Sequence, residues 1–375
     1  MGALCALALA CAAPGAQGSR YLQVGIVDDA QLFFGNAAAT IADYKELHVQ
    51  VVPVTLFWGG RNGVANADPV HSARPGDPAY DWSIYDQLVR RITGAGMQVL
   101  FTIDGTPSWA NGGKATNVAP TDASNLRAFA EAAALRYSGK FVTHGVALPA
   151  VRDWVAWNEP NNPIFLSPQW LRVGGHYVVA SAIAYAKICN AIYNGVHSTR
   201  IVGERVACGA TAPRGNNEAQ SGRPSVSPLA FLRAVKRYGL QNFDAWAHHP
   251  YPDRPSETPT AADGAGESVE LGNIDSLISL VTKLYGPKRI WITEYAYETN
   301  PPDPYFGVPW KLQAAYLKQA FAIARANPRI DMMLWFLLRD DTSSNGWHSG
   351  LLTAAGQKKP SFAAFQEMAA AAPPR

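Results

Sequence analysis

The sequence predicts a single-domain α/β protein, a (β/α)8 barrel, on three observations. Eight short apolar runs alternate with longer amphipathic ones along the whole chain, the pattern of a parallel sheet built from βα units. The first run, "YLQVGIVDDAQLF", lacks the glycine fingerprint that an open, nucleotide-binding sheet would carry after its first strand. Most loops rich in Pro, Gly and Asn (59–78, 112–120, 214–227 and 252–266) follow a strand candidate, and in a barrel those loops surround the working face. The 375 residues suffice, since such barrels use about 250 or more.

In order, the strand candidates are "YLQVGIV", "VQVVPVTLFW", "MQVLFTID", "DWVAWNE", "RIVGERVAC", "FDAWAHH", "RIWITEY" and "DMMLWFLL". Between them fall the helix candidates "AAATIADYKEL", "DWSIYDQLVRRITGAG", "TDASNLRAFAEAAALRYSG", "SPQWLRVGGHYVVASAIAYAKICNAIY", "SPLAFLRAVKRYG", "VELGNIDSLISLVTKLYG" and "VPWKLQAAYLKQAFAIARANP", and "SFAAFQEMAAAA" closes the chain. In the second helix, Ile84, Leu88, Arg91 and Ile92 are spaced as one buried stripe. The third repeats the pattern with Leu126, Phe129, Ala130 and Ala133; Thr121 or Asp122 caps its start, and Gly139 follows its last apolar turn.

Composition narrows the class. A net charge of +3 without a basic run or basic amphipathic stretch argues against a nucleic-acid or membrane-surface partner. Eleven Trp and 15 Tyr beside only 16% charged residues suit flat, partly apolar ligands such as sugar rings as well as a core.

Residues 1–18, "MGALCALALACAAPGAQG", read as a signal peptide: an apolar core, then small residues and Ala16-Gln17-Gly18 before Ser19, although the positive leading segment is missing. A buried helix is the alternative, and Cys11 is a weaker candidate for lipid attachment, because Ala8-Leu9-Ala10 is a poor match to the usual signal. No later stretch reaches the roughly eighteen apolar residues of a membrane span. A secreted protein with residues 19–375 as its barrel domain is therefore expected. Cys189 and Cys208 then remain, either bridged or as two buried thiols; their spacing fits no metal motif.

Glu159 and Glu294 fall at the carboxyl ends of the fourth and seventh strand candidates. Polar residues there face the shared cleft of a barrel, so these two carboxylates are expected across its mouth from one another. Such a pair is what glycosidic bond cleavage needs, one carboxyl protonated and the other ionised. A structural ion pair is the bland alternative for either residue alone.

"WNEPN" and "WITEY" resemble the motifs of the clan A glycoside hydrolases, retaining (β/α)8 enzymes. The resemblance implies that Glu159 is the acid/base, that Glu294 is the nucleophile, and that Asn158 bonds the sugar 2-hydroxyl. "AWAHHPYP" is similar to the clan's His-x-Tyr element, which places His249 and Tyr251 near the nucleophile, with His248 less well matched; "LWFLL" resembles the segment where the clan sets a Trp beneath the sugar, here Trp335. "YDWSIYDQLVRRITGAGMQVLFTIDGTPSWA" looks most like families 39 and 5. One departure stands out: where many members carry a strand-two Arg supporting the nucleophile, this chain has Pro53. Arg61 and Arg339 are weak candidates to replace it.

Trp58 and Trp109, just past strands two and three, are candidates for stacking on a sugar, and Trp347 for walling the site. Asp104 is placed to bond a substrate hydroxyl or to fix its loop. Trp157 and Trp291 read as packing, and His348 as an ordinary loop histidine. The expected activity is double displacement on a polysaccharide or oligosaccharide, endo-acting, with no cofactor or metal required. An exo-acting glycosidase of xylosidase or arabinofuranosidase type, a transglycosidase, and a non-catalytic carbohydrate-binding barrel remain open.

Overall fold

A computed structural model describes residues 18–19, 22–262 and 266–371. The leader read at 1–18, with Cys11, lies outside them apart from Gly18. Eight strands close into a barrel: β1 (Gln23–Val27), β2 (Val51–Phe57), β3 (Gln98–Asp104), β4 (Asp153–Ala156), β5 (Arg205–Thr211), β6 (Ala245–His248), β7 (Arg289–Tyr295) and β8 (Ile330–Phe336). Around the ring the order is β1-β8-β7-β6-β5-β4-β3-β2, and every barrel pairing is parallel. The eight expected strands are these eight. Among the described residues, eight helices of ten or more residues follow them: α1 (Ala37–Glu46), α2 (Ser83–Gly94), α3 (Ala123–Arg136), α4 (Ala180–Ser198), α5 (Pro228–Arg237), α6 (Ile274–Tyr285), α7 (Trp310–Ala326) and α8 (Pro360–Ala370).

Strand alternation sorts the core into two compartments. Val51, Leu100, Val155, Ala207, Ala245, Trp291, Met332 and Leu334 fill the barrel interior. Their neighbours in sequence, Val52, Phe101, Trp154, Trp246, Ile290, Met333 and Trp335, join the layer between barrel and helices. Trp291 is thus packing, as expected, with the Arg205 guanidinium 5.0 Å from its ring.

The β1–β2 seam is unusual. Among the described residues its ladder is confined to Gly25–Val51, whereas β2 and β3 pair from Val51–Gln98 to Phe57–Asp104. Pro53 has no N–H to give. Thr55 N–H instead reaches the Asp29 carboxylate at 3.3 Å, and Phe57 N–H the Tyr85 hydroxyl at 3.1 Å.

Two expectations need correction. The fourth helix does not begin near Ser167: residues 170–173 and 176–179 form a hairpin, and helix starts only at Ala180. The turn is Gly174-Gly175, at φ 57° and 86°, a backbone that glycine adopts without steric cost and that closes tight hairpins. In α2 the buried stripe is Tyr85, Leu88, Val89 and Ile92, while Arg91 is exposed, its charge keeping it in water. In α3, Leu126, Phe129, Ala130 and Ala133 are buried as expected, and Asp122 caps the start by accepting from Ser124 N–H.

Cys189 of α4 and Cys208 of β5 form a disulfide, with Cα atoms 6.0 Å apart. No helix among the described residues is long and apolar enough to cross a membrane.

Candidate active site

The two glutamates reach the mouth of the barrel by different local devices. β4 ends at Ala156, three residues before Glu159. The chain then turns with Trp157 at φ 67° and Glu159 at φ 33°, left-handed backbone that L-residues hold only when their surroundings impose it. Here Glu159 N–H donates to Ala210 O at 2.9 Å, and the buried Asn161 side chain pins the same turn to Ala212 and Val226. Ala210 can offer its carbonyl because Gly209 precedes it at φ 103°, where a Cβ would lie 2.5 Å from Ala247 O. Pro160 therefore closes a turn already begun rather than ending the strand. Glu294 sits within β7, where the register against β8 shifts between Ile292 and Tyr295; such an irregularity re-aims a side chain.

His249 stands between the carboxylates. Its Nδ1 is 3.0 Å from Glu159 Oε1 and 3.6 Å from Glu294 Oε2, and its Nε2 is 3.0 Å from the Thr293 hydroxyl. Asn162 Nδ2 donates to the other Glu159 oxygen at 2.8 Å, and the Tyr251 hydroxyl donates to Glu294 Oε2 at 2.9 Å. One oxygen from each glutamate and a ring nitrogen of His249 all lie within 4.8 Å of one another.

Electrostatics follow from this crowding. Burial works against a charge on His249, but Glu294 and Glu159 together outweigh it and raise its pKa, so the ring favours its cationic form. Burial raises Glu294, as does the charge of Glu159, while His249 and the Tyr251 hydrogen bond oppose the rise. Among the described residues no Lys or Arg pairs with Glu294, whose polar partners are His249 and Tyr251. Pro53 and Thr55 of β2 line a small cavity beneath the carboxylates, together with Asp29, Asn158, His249, Thr293 and Glu294. Arg61 is exposed with its guanidinium over Phe34, and no ion pair joins Arg339 to Glu294 among the described residues. The Asn158 amide has no hydrogen-bond partner among the described residues, which leaves it available to a ligand.

Other expected contacts land elsewhere. Trp58 continues the outward alternation of Val52, Val54 and Leu56: it is 0% exposed, stacked on Phe129 at 6.0 Å and edge-on to Trp109 at 5.7 Å, so it belongs to the core and not to the cleft. Trp109 is half-buried against that core and gives its indole N–H to Ala65 O at 2.7 Å, acting as a clasp on the loop after β2. Trp335 is also 0% exposed and donates to Ser349 O. Alternation explains it: Met332, Leu334 and Phe336 take the inward side of β8, and Trp335 the outward one. Phe336 is the residue that meets Tyr251, at 6.3 Å between rings. Trp347 completes this aromatic wall, 5.5 Å from Tyr251 and 5.3 Å from Phe336, with 45% of its surface exposed.

Asp104 ends β3, accepts from Gly105 N–H at 2.8 Å, and is pushed up to about 7 by burial. His248 is structural. Its Nε2–H donates to Val269 O, its Nδ1 accepts from Thr211, and burial lowers its pKa to about 3. Asp29, Asn162, Thr293 and Phe336 were not singled out in the sequence; for Asn162 the doubled Asn of "EPNN" was a usable sign.

Residues 83–373 match the model of a family of unknown function, DUF5722. The chain belongs to that family. The match takes in β3 to β8 and both glutamates of the DUF5722 barrel. No curated protein matches the chain. Among solved structures, it is similar to a family 39 glycoside hydrolase from the gut symbiont Bacteroides cellulosilyticus WH2, with 19% identity and a TM-score of 0.63, covering 94% of this chain and 64% of that one. It is similar to an endo-beta-1,4-glucanase from Xanthomonas axonopodis pv. citri carrying a triple mutation, at 14% identity, TM-score 0.59, and 93% and 99% of the two chains. A GH5_18 structure from Bifidobacterium longum subsp. infantis shares 14% identity, with TM-score 0.57 and coverage of 95% and 80%. At such identities the likeness establishes a shared barrel. The DUF5722 chain spans less than two thirds of the length of the Bacteroides protein.

Proposed function

We propose that this protein is a secreted, retaining glycoside hydrolase, with residues 1–18 as its leader and 19–375 as its catalytic barrel. The observation that carries the reading is the separation of the carboxylates: oxygens of Glu159 and Glu294 lie within 4.8 Å of one another. Retaining enzymes hold their carboxyls roughly 5–5.5 Å apart, and inverting ones about 6.5–9.5 Å, to admit a water. The neighbours that are glycoside hydrolases of families 39 and 5 support the same activity.

In the first step an oxygen of Glu294 bonds to the anomeric carbon as the bond to the leaving oxygen breaks, and Glu159 gives that oxygen its proton. In the second, Glu159 takes a proton from water, the water oxygen bonds to the anomeric carbon, and Glu294 departs as carboxylate. Tyr251 and His249 favour the ionised form of Glu294 against burial, which readies it for attack. Asn158 bonds the 2-hydroxyl, while Phe336 and Trp347 offer the apolar face that Trp335 was expected to give. The substrate is a polysaccharide or oligosaccharide cut within the chain. The long loops after the strands, residues 59–78 and 214–227 among them, favour an open cleft for a chain over a pocket for one terminal sugar.

Leaving-group dependence tests the roles. Glu159→Ala should lose polysaccharide cleavage yet retain turnover of a dinitrophenyl glycoside, whose leaving group needs no proton; Glu294→Ala should lose both. NMR of the first-formed anomer tests retention, and inverted product would refute the mechanism. A polysaccharide panel with product lengths resolved separates endo from exo cleavage.

A further inference from the structure

The loops after β7 and β8 meet beside the aromatic wall, and at their junction lie Glu298, Asp303 and His348. One carboxylate oxygen from each acid and a ring nitrogen of His348 fall within 4.8 Å of one another. The histidine is not the bland loop residue its sequence suggested: it is 3% exposed. Its Nε2 is 3.1 Å from Ser343 O, and because a carbonyl only accepts, that nitrogen carries a proton. In the neutral tautomer the lone pair is on Nδ1, which is buried, has no hydrogen-bond partner, and lies 3.8 Å from Glu298 Oε2.

The acids are held for the same centre. Glu298 Oε2 accepts His348 N–H at 2.9 Å, and Asp303 Oδ1 accepts Tyr305 and Phe306 N–H at 2.7 and 3.1 Å. Neither acid has a Lys or Arg within ion-pair distance among the described residues. The nearby buried Lys359 is matched by Asp340 at 2.7 Å, and it further binds Thr299 Oγ1 and His348 O. Two half-buried carboxylates beside the buried imidazole, with no Lys or Arg paired to either among the described residues, repel one another. A histidine whose second nitrogen is fixed on a backbone carbonyl is the arrangement of metal-ligating imidazoles.

We propose that Glu298, Asp303 and His348 Nδ1 bind a divalent transition-metal ion, with Zn2+ the suitable probe. The imidazole selects this class, since Ca2+ and Mg2+ favour all-oxygen cages. Ligands at about 2.0–2.2 Å from Zn2+ require only a modest contraction of this cluster. Because Trp347 directly precedes His348, the ion fixes the aromatic wall by joining the two loops. The site takes no part in double displacement and stands whether or not that reading holds.

The test uses the full chain carrying Glu159→Gln, which removes a carboxylate from the other Glu/His cluster. After stripping with a chelator, the protein is titrated with ZnCl2 by calorimetry and melted with and without the metal. The expected result is one saturable site per chain and a melting temperature that rises with Zn2+. Adding Asp303→Asn or His348→Ala should weaken binding at least about ten-fold, the lower end of what losing even an outer partner costs a metal site. Asp303→Asn is isosteric and decides the matter if His348→Ala does not fold. Absence of saturable binding in the parent, or unchanged affinity in Asp303→Asn, overturns the proposal.

Discussion

His249 Nδ1 lies 3.0 Å from Glu159 Oε1, and the same nitrogen is 3.6 Å from Glu294. The ring therefore eases the ionisation of Glu294, which burial and the charge of Glu159 oppose. His249→Asn should cut kcat/KM about 100-fold, within the range for a group assisting proton transfer. Without the imidazolium, Glu294 binds its proton more tightly, so the acid limb of the kcat/KM profile should move to higher pH. An unmoved acid limb would show that His249 only packs.

Trp347 projects into solvent while its ring rests on Tyr251 and Phe336. If it stacks on a sugar, Trp347→Ala should raise KM about five-fold with kcat nearly constant, equivalent to about 1 kcal/mol of aromatic contact. Initial rates on a soluble oligosaccharide measure the split. A fall in kcat alone would place the residue outside the binding surface.

Stability should decline as pH rises through the acidic range. Burial raises Asp104 and Glu204 to about 7, and Asp28 and Asp29 to about 6, whereas an unfolded carboxyl titrates near about 4. Each group binds its proton more tightly in the folded chain, so unfolding releases protons and the slope of stability against pH is negative between about 4 and 7. The melting temperature should be higher at pH 5 than at pH 8. Glu204→Gln, which needs no ionisation, should flatten that slope.

The bridge from α4 to β5 closes a loop with a sequence separation of 19 residues. A loop of that size implies about 3 kcal/mol of stabilisation through restriction of the unfolded chain. Cys189→Ala with Cys208→Ala should lower the denaturant midpoint accordingly, and reducing agent should lower that of the parent but not of the double variant.

The barrel was legible in the sequence because each strand is a compact apolar run between punctuated helices, and Glu159 and Glu294 because each closes such a run. What was missed has specific causes. A one-residue difference in strand phase exchanges inside for outside, which is why Trp335 and Trp58 are buried while Phe336 faces the cleft. The Gly174-Gly175 hairpin was read as helix because the alanine-rich segment after it extends the apolar pattern. Thr293 and Asn162 are neutral side chains whose roles exist only once His249 and Glu159 are beside them. Asp29 precedes no motif; its partner is the N–H of Thr55 on the next strand.

That contact between Asp29 and Thr55 returns attention to the join between the first two strands. A closed ring of strands is a hoop, and at this join the backbone ladder is short: the Asp29 carboxylate, just past β1, takes the N–H of Thr55, the Tyr85 phenol of α2 takes that of Phe57, and Pro53 supplies none. Side-chain fastenings can be undone one at a time, whereas a ladder yields cooperatively. The hoop should therefore part first at this join, directly below the floor of the cleft, and the amides of Thr55 and Phe57 should exchange with solvent sooner than those of β3 on the other side.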